Sequence, residues 1–121
     1  MRYRFRREIH RWLTAACAEV DEIYVLTIAP TNEETEAHSP GLTASIEAYN
    51  ALLVDIVEEL KDTRQARIAI VDVHAAITAA EDTTIPYVSP SDGHHLSPAG
   101  HTLYASKLIE ASRRVAATTP T

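Results

Sequence analysis

Glu22-Ile23-Tyr24-Val25-Leu26-Thr27-Ile28-Ala29 is short, rich in β-branched residues and almost continuously apolar, the pattern of a strand covered on both faces. It reads as a central parallel strand, ended by Pro30. A second run of the same kind, Arg67-Ile68-Ala69-Ile70-Val71-Asp72-Val73, reads as another buried parallel strand. Between them, from Thr43, the residues Ile46, Tyr49, Leu53, Ile56, Val57 and Leu60 recur at helical spacing, while Glu47, Asp55, Glu58, Glu59 and Lys61 fill the rest of the surface. Strand, amphipathic helix, strand is a βαβ crossover, right-handed by steric preference, and it predicts an α/β fold on a parallel sheet. Residues 31–41 are polar and predict a loop past the first strand's carboxyl end, where open α/β sheets bind ligands; Glu33, Glu34 and Glu36 on it read as solvated acids. Asn50 lies beside the helix's apolar stripe, and a hydrogen bond to a neighbouring loop accounts for it.

Ahead of the first strand, Phe5, Ile9, Trp12, Leu13, Ala16, Cys17 and Val20 recur at helical spacing, opposed by Arg6, Arg7, His10, Arg11 and Glu19. They predict an amphipathic first helix with Trp12 packed in the core and Cys17 as a small buried hydrophobe. Residues 62–65 form a polar turn. Asp72 and His74 straddle the end of the second strand, where alternation turns them to one face; no further group converges on them in sequence. Residues 75–80 predict a short helix, and residues 81–90, with Pro86 and Pro90, an irregular approach that delivers Asp92 to its turn. Leu103, Tyr104, Leu108, Ile109, Ser112 and Val115 outline the last helix, before a Thr-rich tail from Thr118.

The densest chemistry is Ser91-Asp92-Gly93-His94-His95-Leu96-Ser97-Pro98-Ala99-Gly100-His101. Gly93 permits a sharp turn that lets the Asp92 carboxylate fold back to an imidazole N–H of His95. In such a pair the carboxylate fixes the tautomer while the imidazole takes a proton from a hydroxyl nucleophile and returns it to the leaving group. Ser97 reads as an N-cap and Pro98 as the first helical residue. Asp92-Gly93-x-His95-Leu96 followed by Pro98-Ala99-Gly100 and an apolar helix resembles the last conserved block of the GDSL/SGNH hydrolases, serine esterases, lipases and acylhydrolases. The 23–30, 49–50 and 68–73 segments fall in that family's order, so the resemblance spans nearly the whole chain. It implies a three-layer αβα, flavodoxin-like fold of which residues 1–121 are a single C-terminal portion. It further implies a small-molecule ester substrate, no cofactor, and Asp92 and His95 as catalytic residues, with Asp92 orienting His95 as general base.

The departures matter as much. The family's nucleophile lies in a Gly-Asp-Ser stretch, and its oxyanion donors include a Gly and the Asn of a Gly-x-Asn-Asp stretch. Here the three glycines are Gly41, Gly93 and Gly100, no Ser has that context, and Asn32 and Asn50 lack theirs. The chain is thus expected to supply the acid–base pair without the nucleophile and to be inactive alone. Two other readings compete. Asp92, His94, His95 and His101 offer zinc ligands, although adjacent imidazoles seldom reach one ion and the His-Glu-x-x-His pair is absent. Alternatively the chain is a non-catalytic α/β interaction module or degenerate hydrolase fragment, self-associating through an exposed sheet edge.

Composition sets the outer bounds. With 121 residues, 45% of them hydrophobic, one domain with a core is expected. The net charge of −6 is split: residues 1–11 hold five Arg against Glu8, a net of about +4, which leaves about −10 for the rest. The acidic bulk argues against a nucleic-acid partner, and the basic start reads as the solvated face of the first helix rather than a targeting or lipid-binding signal. One Cys excludes an internal disulfide, and no run approaches the ~20 apolar residues of a membrane span. Compartment is left open.

Overall fold

A computed structural model describes residues 2–61, 66–80, 87–89 and 95–117. The elements in chain order are α1 (Arg2–Cys17), β1 (Glu22–Leu26), α2 (Glu33–His38), α3 (Leu42–Lys61), β2 (Arg67–Val71), α4 (Val73–Ala79) and α5 (Pro98–Ala117). β1 and β2 pair in parallel, with Glu22 opposite Arg67 and Leu26 opposite Val71. The β1-α3-β2 unit and the α/β class are therefore as the apolar periodicity predicts. The expected turn at 62–65, most of the approach over 81–90, and the tail from Thr118 lie outside the described residues.

Alternation along the strands divides the core in two. Ile23, Val25, Ile68 and Ile70 face Leu13 and Cys17 of α1 and Ile56, Val57 and Leu60 of α3. Tyr24, Leu26 and Val71 face the other way, onto Val73, Tyr104 and Ala111 of α4 and α5. Helices thus cover both faces of the sheet, which is why both strands read as continuous apolar runs. Ile56 and Val57 are wholly buried, and removing a side chain of that size from water contributes about 1.5–3 kcal/mol before chain entropy is counted.

Several sequence expectations need correction. Both strands stop short: β1 ends at Leu26 and β2 at Val71, where Asp72 becomes the N-cap of α4 and its carboxylate and the Thr27 hydroxyl accept from the Ala75 and His74 N–H groups of that helix's first turn. The polar stretch 31–41 is no simple loop. Asn32 accepts from the Thr35 N–H at 2.8 Å and starts α2, whose first turn carries Glu33, Glu34 and Glu36, acids suited to a helix N-terminus. Trp12 is 67% exposed. The core positions of α1 are Ile9, Leu13 and Cys17 at i, i+4 spacing, which leaves Trp12 a step of about 100° off the stripe. Val20 lies beyond the helix and is exposed. On α5 the buried core position is Ala111, while Leu108 and Ile109 are exposed.

Among the described residues β1 has one strand neighbour. Asp21 C=O and Thr27 N–H both bond β2, so alternate residues between them face it. The backbone groups of Glu22, Tyr24 and Leu26 face the opposite side. No helix among the described residues is long and apolar enough to cross a membrane.

Candidate functional site

The start of α5 fixes the imidazole-bearing loop. The Ser97 hydroxyl accepts from the Gly100 N–H at 3.1 Å and its carbonyl from the His101 N–H at 2.9 Å, so Ser97 is the N-cap that the sequence predicts. Just ahead, Leu96 pairs with Val88 in an antiparallel bridge. Ser89 N–H donates to the His95 carbonyl at 2.7 Å, and Ser97 N–H to the Tyr87 carbonyl at 3.0 Å. His95 is thereby pinned at its backbone while the residue as a whole is exposed. Gly100 makes this possible. A Cβ there would run into the Tyr87 carbonyl oxygen and come within 3.1 Å of Leu96 Cδ2, so residues 87–89 can approach the helix only over a glycine.

The direction of α5 follows from two contacts. The Tyr104 hydroxyl reaches the Thr27 carbonyl at 3.5 Å, and Ser112, two turns further on, lies beside the Tyr24 hydroxyl. α5 therefore runs opposite to β1. Its N-terminus, with His95 just before it, lies beyond the carboxyl ends of the strands, the edge at which open α/β sheets bind ligands. Burial pushes the Tyr104 phenol above its ordinary value. Desolvation, and then the hydrogen bond to Glu22, do the same for Tyr24. Both remain hydrogen-bond donors at neutral pH.

At the same edge lies a polar network that the sequence does not reveal as one. Thr27 Oγ1 donates to Asp72 Oδ1 at 3.1 Å and accepts from the His74 N–H at 3.0 Å. Asp72 Oδ1 also accepts from the Ala75 N–H at 3.0 Å, as the N-cap of α4. Asp72 and His74 do not share a strand face, since the strand has ended and the helix begun. The overlooked signal was Asp72 itself, a capping residue three before Ala75. Asn50, 8% exposed, accepts from the Ile28 N–H at 2.7 Å and donates to the Ile28 carbonyl at 3.0 Å; the neighbouring loop expected for it is the chain just after β1.

Asp92, Gly93 and His94 lie outside the described residues. His101 is exposed on the first turn of α5. Among the described residues no three His, Cys, Asp or Glu side chains gather as a metal site would require. No family model matches the chain, and neither does a curated protein or a solved structure.

Proposed function

We propose that the chain is the C-terminal, acid–base portion of an SGNH-type serine ester hydrolase with a three-layer αβα domain. The observation that carries the reading is the position of His95, exposed, pinned by its backbone, and beyond the carboxyl ends of two parallel strands. Asp92, three residues before it, is the carboxylate that would orient its ring. His95 would then take the proton of a Ser hydroxyl supplied by a segment this chain does not carry. The alkoxide attacks the ester carbonyl, the protonated imidazole hands its proton to the leaving alcohol, and water hydrolyses the acyl-enzyme by the same base. Each absent oxyanion donor is worth roughly 10²–10³ in turnover, so negligible activity is expected of the 121 residues alone.

The test is cleavage of p-nitrophenyl acetate by the chain and by a form extended upstream in its own reading frame, each beside His95→Ala. Only the extended form should turn over, and His95→Ala should reduce it by roughly 10⁴-fold or more. Activity in the extended form that survives His95→Ala, or none in either form, overturns the reading. The rival is a non-catalytic module, favoured by the backbone groups of Glu22, Tyr24 and Leu26 that no strand meets among the described residues. Its occupant would be the same edge of a second copy.

A further inference from the structure

α1 presents to solvent a face that the core does not use. Ile9, Leu13 and Cys17 are committed to the packing beneath the sheet. At about 100° per residue the opposite arc places Arg7, Arg11 and Arg4 side by side, with Tyr3 at one margin and Trp12 at the other. All five are exposed. Tyr3 and Trp12, at 77% and 67%, are the most exposed of the large apolar side chains described. The Arg7 guanidinium lies 5.9 Å over the Tyr3 ring. Among the described residues counter-charge is sparse: Glu8, which helical spacing sets between Arg4 and Trp12, lies 3.8 Å from Arg11, and Glu59 of α3 is occupied by Arg6 at 2.8 Å and His10 at 3.6 Å. The strip is a cationic pole on a chain whose remaining residues sum to about −10.

Core packing explains Leu13 and Cys17; it does not explain a tryptophan 67% exposed at the margin of an arginine-bearing helix face. Guanidinium groups pair with phosphate oxygens through two parallel hydrogen bonds, and Trp and Tyr rings favour the headgroup level of a bilayer. A single-stranded nucleic acid would call for a groove with stacking rings along its floor, whereas here the rings flank the cations on a convex helix face. The geometry points to α1 as a docking surface for a bilayer bearing anionic phospholipids, with Arg4, Arg7 and Arg11 on headgroup phosphates and Tyr3 and Trp12 at the interface. Because the apolar face of α1 is held by the core, the helix lies on the surface and does not enter the hydrocarbon. Attachment is electrostatic, reversible and weakened by salt. This inference stands independently of the hydrolase reading.

Trp12 is the only tryptophan in the chain, so its fluorescence reports the contact directly. The chain is titrated with phosphatidylcholine vesicles, with and without phosphatidylserine, at low and high salt, with sedimentation of bound protein as a second readout. Expected are a blue shift and co-sedimentation with the anionic vesicles only, both reversed by salt. Arg4→Gln and Arg7→Gln should each lower the partition coefficient about five-fold with the helical circular dichroism unchanged. Trp12→Phe should weaken sedimentation without altering its salt dependence. Absence of binding, equal binding to neutral vesicles, or binding indifferent to the arginines overturns the inference. So does a short single-stranded oligonucleotide that shifts Trp12 as strongly at equal phosphate concentration, which would assign the face to nucleic acid.

Discussion

A methyl group added at residue 100 would meet the Tyr87 carbonyl and the Leu96 side chain, both held by the bridge that carries His95. Gly100→Ala is therefore expected to destabilise the fold by about 1–3 kcal/mol through overpacking, measurable as a lowered urea midpoint; an unchanged midpoint would mean that residues 87–89 move aside freely. The helix start was legible in sequence because its chemistry is local, the Ser97 cap and the Pro98 start being adjacent; the role of Gly100 was not, because it depends on Tyr87, which is distant in sequence. Asn50 was legible too, as a polar side chain beside an apolar stripe. Thr27 was not. Its partners Asp72 and His74 are 45 and 47 residues away, and nothing near Thr27 marks it as a hub. Trp12 misled because size alone favours burial, and spacing cannot separate the centre of a helical stripe from its margin. Asp92, on which half of the proposed pair rests, was legible through the resemblance and lies outside the described residues.

At the level of elements, α2 and α3 are joined by one carboxylate. Glu36 of α2 accepts from the Gly41 N–H at 3.0 Å and from the Thr43 N–H at 2.8 Å, so it caps the start of α3 from outside. Gly41 makes the turn at φ +95°, a conformation that suits glycine. The backbone donors of Thr43 and Gly41 hold the Glu36 carboxyl below its ordinary value of 4.5. Its folded value being depressed, Glu36 contributes stability that is present above pH 4.5 and is lost as pH falls through the lower folded value. Glu36→Gln should thus lower the thermal midpoint at neutral pH, and the gap to the unaltered chain should close on acidification below that range. A pH-independent gap would place the effect in packing instead. The acids of this stretch were visible in sequence. Their helical job was not, because a six-residue helix shows too little periodicity to be told from a loop.

Across the whole molecule, the βαβ unit and the terminal helices follow from hydrophobic spacing, since each buries one face against a common sheet. What spacing cannot supply is the number of strands. β1 reads as central because both its faces are apolar, yet among the described residues it has one neighbour. Light scattering over a concentration series tests what that edge does: a mass rising towards the dimer supports pairing of two copies, and a monomer at every concentration removes that reading.

The two faces of the sheet are also held with unequal strength. Among the described residues, a cluster of seven buried residues packs α1 and α3 on one face, and a cluster of three packs α4 and α5 on the other. Opening of the α5 layer thus has the smaller free-energy barrier to overcome, and its amides should exchange with solvent before those of α3. His95, at the root of α5, would breathe with that layer, changing its aim while the rest of the fold stays closed.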